Sequence, residues 1–149
     1  MLRRLGFGAW VVLVALAASA CVAPARSFSA YESKAADSAE SATSDAGSAI
    51  LAAGLAADGR LEAATTSLIL QDAEIGATST ADTFASIQPP DGASDALRAE
   101  LLPRLRSAAD TIGLMRIAAR RVDTGTLADL IAQLRSIADQ LERFASEHR

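Results

Sequence analysis

The residues that could do chemistry are few and spread along the chain. Among 149 residues there is one Cys (Cys21), one His (His148) and one Lys (Lys34). A metal site needs two or more converging His, Cys or carboxylate groups. His148 stands beside the C-terminus, where helices fray, and has no second His to join it. The Glu-x-x-His pairs that hold two metal ions inside helical bundles do not occur. A serine nucleophile needs a base, and the interior of the chain has no His. Neither common spacing of a Gly-rich phosphate loop is present. Asp37/Glu40 and Asp58/Glu62 are spaced to share a helix face, as solvated surface acids often do. The remaining charged group is Arg116, Arg120 and Arg121, of which the first two share a helical face. These residues predict no catalytic site, no cofactor and no metal, and hence a protein that is not an enzyme.

The elements that must carry these residues are helical. Half the chain is apolar but only 4% is aromatic, and Ala makes up nearly a quarter. That composition favours helix over strand. The length suits one domain. Three breaks interrupt the helical pattern from Phe28 onward: Asp58-Gly59, Gln88-Pro89-Pro90-Asp91-Gly92 and Asp123-Thr124-Gly125. Paired prolines remove two N–H donors and push the preceding residue out of helical geometry. The breaks leave four segments, about 28–57, 60–87, 94–122 and 126–147. Connections this short make neighbours antiparallel. The expected fold is therefore an all-α, antiparallel up-down bundle of about four helices over 28–149.

Each segment announces its inward face differently. In the last, Leu127, Leu134 and Leu141 recur every seven residues, and Leu130, Ile137 and Phe144 repeat the pattern three residues on. Thr126 is the expected N-cap, with Asp129 in the role of a capping-box acid. Gly125 suits a left-handed helix end. The third segment carries Leu101, Leu105, Ala108, Ile112, Met115, Ala119 and Val122, with Pro103 predicting a kink or a start near Leu102. The first has an alanine seam, Ala35, Ala39, Ala42, Ala46, Ala49, Ala53 and Ala56, led by Phe28 and Tyr31. Small residues there predict close approach of helix axes. In the second, Leu61, Leu68 and Ile75 begin a heptad that then drifts toward Phe84 and Ile87. A hairpin centred on Pro90 would set Arg98 opposite Asp82, Arg106 opposite Glu74 and Arg120 opposite Arg60, near Glu62. On that register the Arg residues pair with acids rather than form an anion site.

The N-terminus directs the protein out of the cytoplasm. Arg3 and Arg4 form a basic head, and Leu5 to Leu16 is an uncharged apolar stretch. Ala17-Ala18-Ser19-Ala20 then precedes Cys21. Head, apolar run and small-residue tail make a signal peptide over residues 1–20. With Cys21 directly after it, the run resembles the lipobox of bacterial lipoproteins, although Ala18 stands where Leu is usual. The resemblance implies cleavage before Cys21 and acylation of its thiol, with palmitate-type chains anchoring the protein on the outer face of the cell membrane. Residues 21–27 would then be a short tether. Two other readings stay open. Cleavage after an A-x-A site, Ala18-Ser19-Ala20 or Ala23-Pro24-Ala25, would give a secreted protein, and retention of Leu5–Ala25 would give a membrane anchor.

Removing the signal takes two of the 14 basic side chains and none of the 18 acidic ones, so the net charge moves from −4 to about −6. An acidic extracytoplasmic body argues against nucleic acid as a partner. It also argues against electrostatic attachment to anionic lipid. The expected function is that of a membrane-anchored, non-enzymatic protein-interaction or structural module of the cell envelope, with another envelope protein as partner. The alternative is a small-molecule carrier with its ligand between the helices.

Overall fold

The computed structural model describes residues 25–149, so Cys21 and the signal-like run lie outside the described residues. The described residues form four α-helices and no strand: α1 (Phe28–Ala57), α2 (Ala63–Ser86), α3 (Gly92–Arg120) and α4 (Thr124–Glu147). This is the all-α bundle expected from the punctuation of the sequence. Each helix packs against its sequence neighbour, and α4 closes the ring onto α1. Across the ring α1 also touches α3, whereas α2 and α4 do not meet. Square packing around a wide centre would keep both diagonals apart. Here the alanines of α1 shorten one diagonal.

The alanine seam is buried as its spacing predicts. Ala35, Ala39, Ala42, Ala46, Ala49 and Ala53 are all fully enclosed, and only Ala56 and Phe28, at the two ends, are half-buried. The α4 heptad is buried too, from Leu127 through Leu134 and Leu141 to Phe144 and Ala145. Leu101, Leu105, Ala108, Ile112, Met115 and Ala119 supply the α3 side. The buried hydroxyls of Thr66 and Thr111 donate to carbonyls one turn back, at Glu62 and Ser107, so neither needs a partner helix. Tyr31 stacks on Phe84 with ring centroids 5.5 Å apart and its hydroxyl is enclosed without a hydrogen bond. Burial pushes that hydroxyl above the ordinary tyrosine range, Arg98 draws it down and Asp95 adds to the rise.

Several local expectations are corrected. The buried seam of α2 is Thr66, Leu70, Ala73, Ala77, Ala81 and Phe84, not Leu61, Leu68 and Ile75. Leu68 and Ile75 are 64% and 59% exposed. α3 runs unbroken through Pro103, so its regular part does not wait for Leu102. Asp91 secures its start by accepting the Ser94 N–H at 2.8 Å. α4 is capped by Asp123, which accepts from the Thr126 N–H and hydroxyl, so Thr126 is the residue held rather than the cap.

The two turns at the far end of the bundle share one backbone pattern. After α1, Gly59 is left-handed (φ 69°), with Gly59 N–H donating to Ala56 O and Arg60 N–H to Leu55 O. After α3 the left-handed residue is Val122 (φ 56°), with its N–H donating to Ala119 O and that of Asp123 to Ala118 O. Both are Schellman endings. The second forces a β-branched residue where glycine is favoured, and Gly125 instead lies inside α4. Val122 is 71% exposed and adds nothing to the α3 seam expected of it.

The α2–α3 connection is not a tight corner either. Ile87 and Asp91 are extended, and Ile87 is buried. The chain therefore runs on beyond α2 before turning, and α3 begins alongside that strip. Arg98 donates to Ala85 O at 2.5 Å and Ile87 O at 3.3 Å. Glu74 lies against Gly113 and Arg116, seven to ten residues past the Arg106 that a simple hairpin would give it. At 1.5 Å per residue this is an axial slip of roughly 10–15 Å.

The seam and its far side give a direct test of burial. Leu134 is fully enclosed, and Ser136 lies on the exposed side of α4. Leu134→Ala is expected to cost about 2–5 kcal/mol in thermal or denaturant unfolding, through lost transfer energy plus a cavity. Ser136→Ala should change stability by less than about 0.5 kcal/mol.

Candidate interaction face

Helix α2 occupies a corner of the ring, between α1 and α3. Its three sides carry different chemistry. The inward side holds the Thr66–Phe84 seam. On the α1 side, Asp45 sets its carboxylate over Gly76, where a Cβ would stand 2.7 Å from Oδ1. Asp37, Ser38 and Ser41 continue this polar strip opposite Ser79, Thr80 and Thr83, around a shallow cleft of about 190 Å3. Burial pushes the Asp45 carboxyl above the ordinary carboxylate range. On the α3 side the Glu74 carboxylate lies over Gly113 and accepts from Arg116 Nε at 2.5 Å and Nη2 at 3.3 Å. Glu74 holds Arg116 above its ordinary range, first through the hydrogen bond and then through its charge.

The outward side of α2 exposes Leu68 and Ile75 among the polar residues Gln71, Asp72, Thr78, Ser79 and Asp82. Leu68 and Ile75 are seven residues apart and so project within about 20° of each other. On α3, Leu114 and Ile117 are 52% and 41% exposed, and next to Ile75 an open groove of about 700 Å3 is lined by Gln71, Glu74, Thr78, Asp82 and Arg116 among others. Ile69 on α2 and Leu51 on α1 are exposed as well. Every exposed large apolar side chain among the described residues lies between the middle of the bundle and its two turns. Residues Ala25–Ser27 enter α1 at the opposite end, and α1 spans about 45 Å.

The charged residues singled out by spacing do not assemble into a reactive centre. Arg116 is engaged by Glu74 on the outer α2–α3 groove, while Arg120 and Arg121 are exposed near the turn. His148 contacts Glu32 at 3.0 Å and stacks on Phe144, and Arg149 pairs with Glu40. These pairs strap the end of α4 to the start of α1. Asp37 and Glu40 therefore part company, one to the α2 side and one to the C-terminus. Asp58 and Glu62 are exposed at the first turn, outside any helix. Among the described residues no three His, Cys, Asp or Glu side chains converge as metal ligands would. No described helix is long and apolar enough to cross a membrane.

One further cavity lies at the tip, a cleft of about 100 Å3 between the two turns, lined by Ala56, Leu61, Ala63, Ala119, Val122 and Leu127 among others. Sequence reasoning missed both it and the outward α2 face. The heptad Leu61-Leu68-Ile75 did carry the signal, but only the packing assigns it to the outside. No family model, curated protein or solved structure matches the chain.

Asp45 supplies a pH-dependent readout of this corner. An acid whose folded pKa is raised works against the fold above its unfolded pKa, and that penalty disappears as pH falls. Asp45→Asn should therefore raise the thermal midpoint at pH 7. The gain should shrink toward zero below the carboxylate range, as measured by unfolding at a series of pH values.

Proposed function

We propose that this protein is an extracytoplasmic lipoprotein, tethered to the cell membrane through acyl chains on Cys21, whose helical bundle is a non-enzymatic interaction or structural module of the envelope. The observation that carries the reading is that Leu68 and Ile75 of α2 and Leu114 and Ile117 of α3 stay exposed on a bundle whose own core is already filled. Its placement suits a tethered protein. The chain enters at one end of α1, and the apolar residues lie toward the other. A partner then reaches them without displacing the anchor. The acidic body leaves acyl chains, rather than a polybasic patch, to hold the membrane.

A small-molecule carrier is the second reading, and the apolar tip cleft is what favours it. At about 100 Å3 it is well below the 300–1,000 Å3 of ordinary ligand pockets. Such a cleft holds a few heavy atoms at most. Native mass spectrometry separates the two readings, since a carrier retains adventitious ligand.

The anchor is tested by substitution and by the mature N-terminus. Cys21→Ala should move the protein from the membrane fraction to the medium, or block its processing. N-terminal sequencing should place Cys21 first, blocked or modified. A mature chain beginning at Arg26 has lost Cys21 and is not a lipoprotein.

A further inference from the structure

The folded body takes up the chain almost directly after Cys21. Ala25 is buried as part of the core, and Ser27 caps α1 by accepting from the Ala30 N–H at 3.2 Å. Four residues of fully extended chain, the distance from Cys21 to Ala25, span at most about 14 Å. We infer that the end of the bundle beside Ala25 rests on the headgroup zone of the bilayer, with the helices directed away from it. This rests on the reading of Cys21 as an acylated anchor, and it adds which surface of the bundle meets the lipid.

That end is assembled from four places in the sequence. Tyr31 of α1 stacks on Phe84 near the end of α2, and Arg98 of α3 reaches the Ala85 and Ile87 carbonyls. His148, just beyond α4, contacts Glu32 of α1. These contacts gather the start of α1, the connection after Ile87 and the end of α4 into one surface. Its chemistry suits headgroups rather than hydrocarbon. Arg26, Gln88, Pro90, Asp91, Glu147 and Arg149 are exposed there, and among the described residues no large apolar side chain is exposed at this end. Charges belong at the interface, since a charge at the bilayer centre is costly. From Cys21 onward the chain carries 12 basic and 18 acidic side chains, a net charge of about −6. An anionic leaflet repels such a body, so the bundle stands off it instead of lying along it. Counted back from Ser86 at 1.5 Å per residue, Ile75 and Leu68 then stand roughly 15–30 Å above the lipid-facing end, clear of the bilayer.

The test is energy transfer from a donor on one introduced cysteine to acceptor-labelled headgroups. The full acylated chain is placed in vesicles of phosphatidylcholine and phosphatidylglycerol. Acylation occupies Cys21, so Gln88→Cys and Asp58→Cys each supply the one free thiol. Both positions are exposed, and they lie at opposite ends of a bundle whose first helix spans about 45 Å. Transfer should be severalfold more efficient from Gln88→Cys than from Asp58→Cys. A flexible Gly/Ser insertion of about 16 residues between Val22 and Ala23, with an r.m.s. span of roughly 20–24 Å, should lower the Gln88→Cys value. Equal transfer from the two sites means that the bundle lies along the bilayer and overturns the proposal. A Gln88→Cys signal indifferent to the insertion overturns it too, because the short tether is then not what holds that end down. The underlying reading fails separately. If mass spectrometry of the mature N-terminus shows Cys21 unmodified or absent, the acyl anchor is lost and the proposal falls with it.

Discussion

The alanines that α1 turns inward determine how close its neighbours come. A methyl group at Ala39, Ala42, Ala46, Ala49 and Ala53 is the largest side chain those positions hold, and each is wholly enclosed. α1 therefore reaches across the ring to α3 as well as to α2 and α4. The larger side chains of the core come from the other side of that contact: Leu101, Leu105, Ile112 and Met115 on α3, and Leu134 and Leu141 on α4. Large and small residues interdigitate, and the centre closes without aromatic bulk.

That economy of volume has a consequence for α2. Its inward seam is also small, with Ala73, Ala77 and Ala81 between Leu70 and Phe84. The bundle is thus closed before Leu68 and Ile75 are needed, and they are left outside, as Leu114 and Ile117 are on α3. On the proposed function, apolar side chains that do not stabilise the monomer are available to a partner. Gly76 beneath Asp45 of α1, and Gly113 of α3 beneath Glu74, serve the same corner by letting α2 pack closely against both neighbours while the two carboxylates stay near the surface.

Much of this was legible before the structure. α4 declared itself through Leu127, Leu134 and Leu141, whose bulk and seven-residue spacing leave one packing face. The alanine seam of α1 was legible by regularity alone. α2 misled because Leu61, Leu68 and Ile75 are the conspicuous apolar residues, whereas the buried face is mostly Ala and Thr, types that are equally common on surfaces. The α2–α3 register depended on Ile87 extending beyond its helix, and Pro89-Pro90 signals a break without giving its length. Val122 in a left-handed turn has no residue-type signal, since its twin position holds Gly59. The apolar face was present in the sequence as a heptad, but its side of the helix is a property of packing.

The thermal midpoint of Ala46→Leu tests the central claim most directly. Ala46 is fully enclosed on the inward face of α1. If small side chains there set the spacing of the bundle, the added carbons must push helices apart or adopt strained rotamers, at a cost of about 1–3 kcal/mol or more. The account predicts a midpoint several degrees lower in a domain of this size, roughly 2–8 °C per kcal/mol. A midpoint equal to or above that of the wild type would contradict it, because leucine would then have found room that a close-packed alanine seam does not leave.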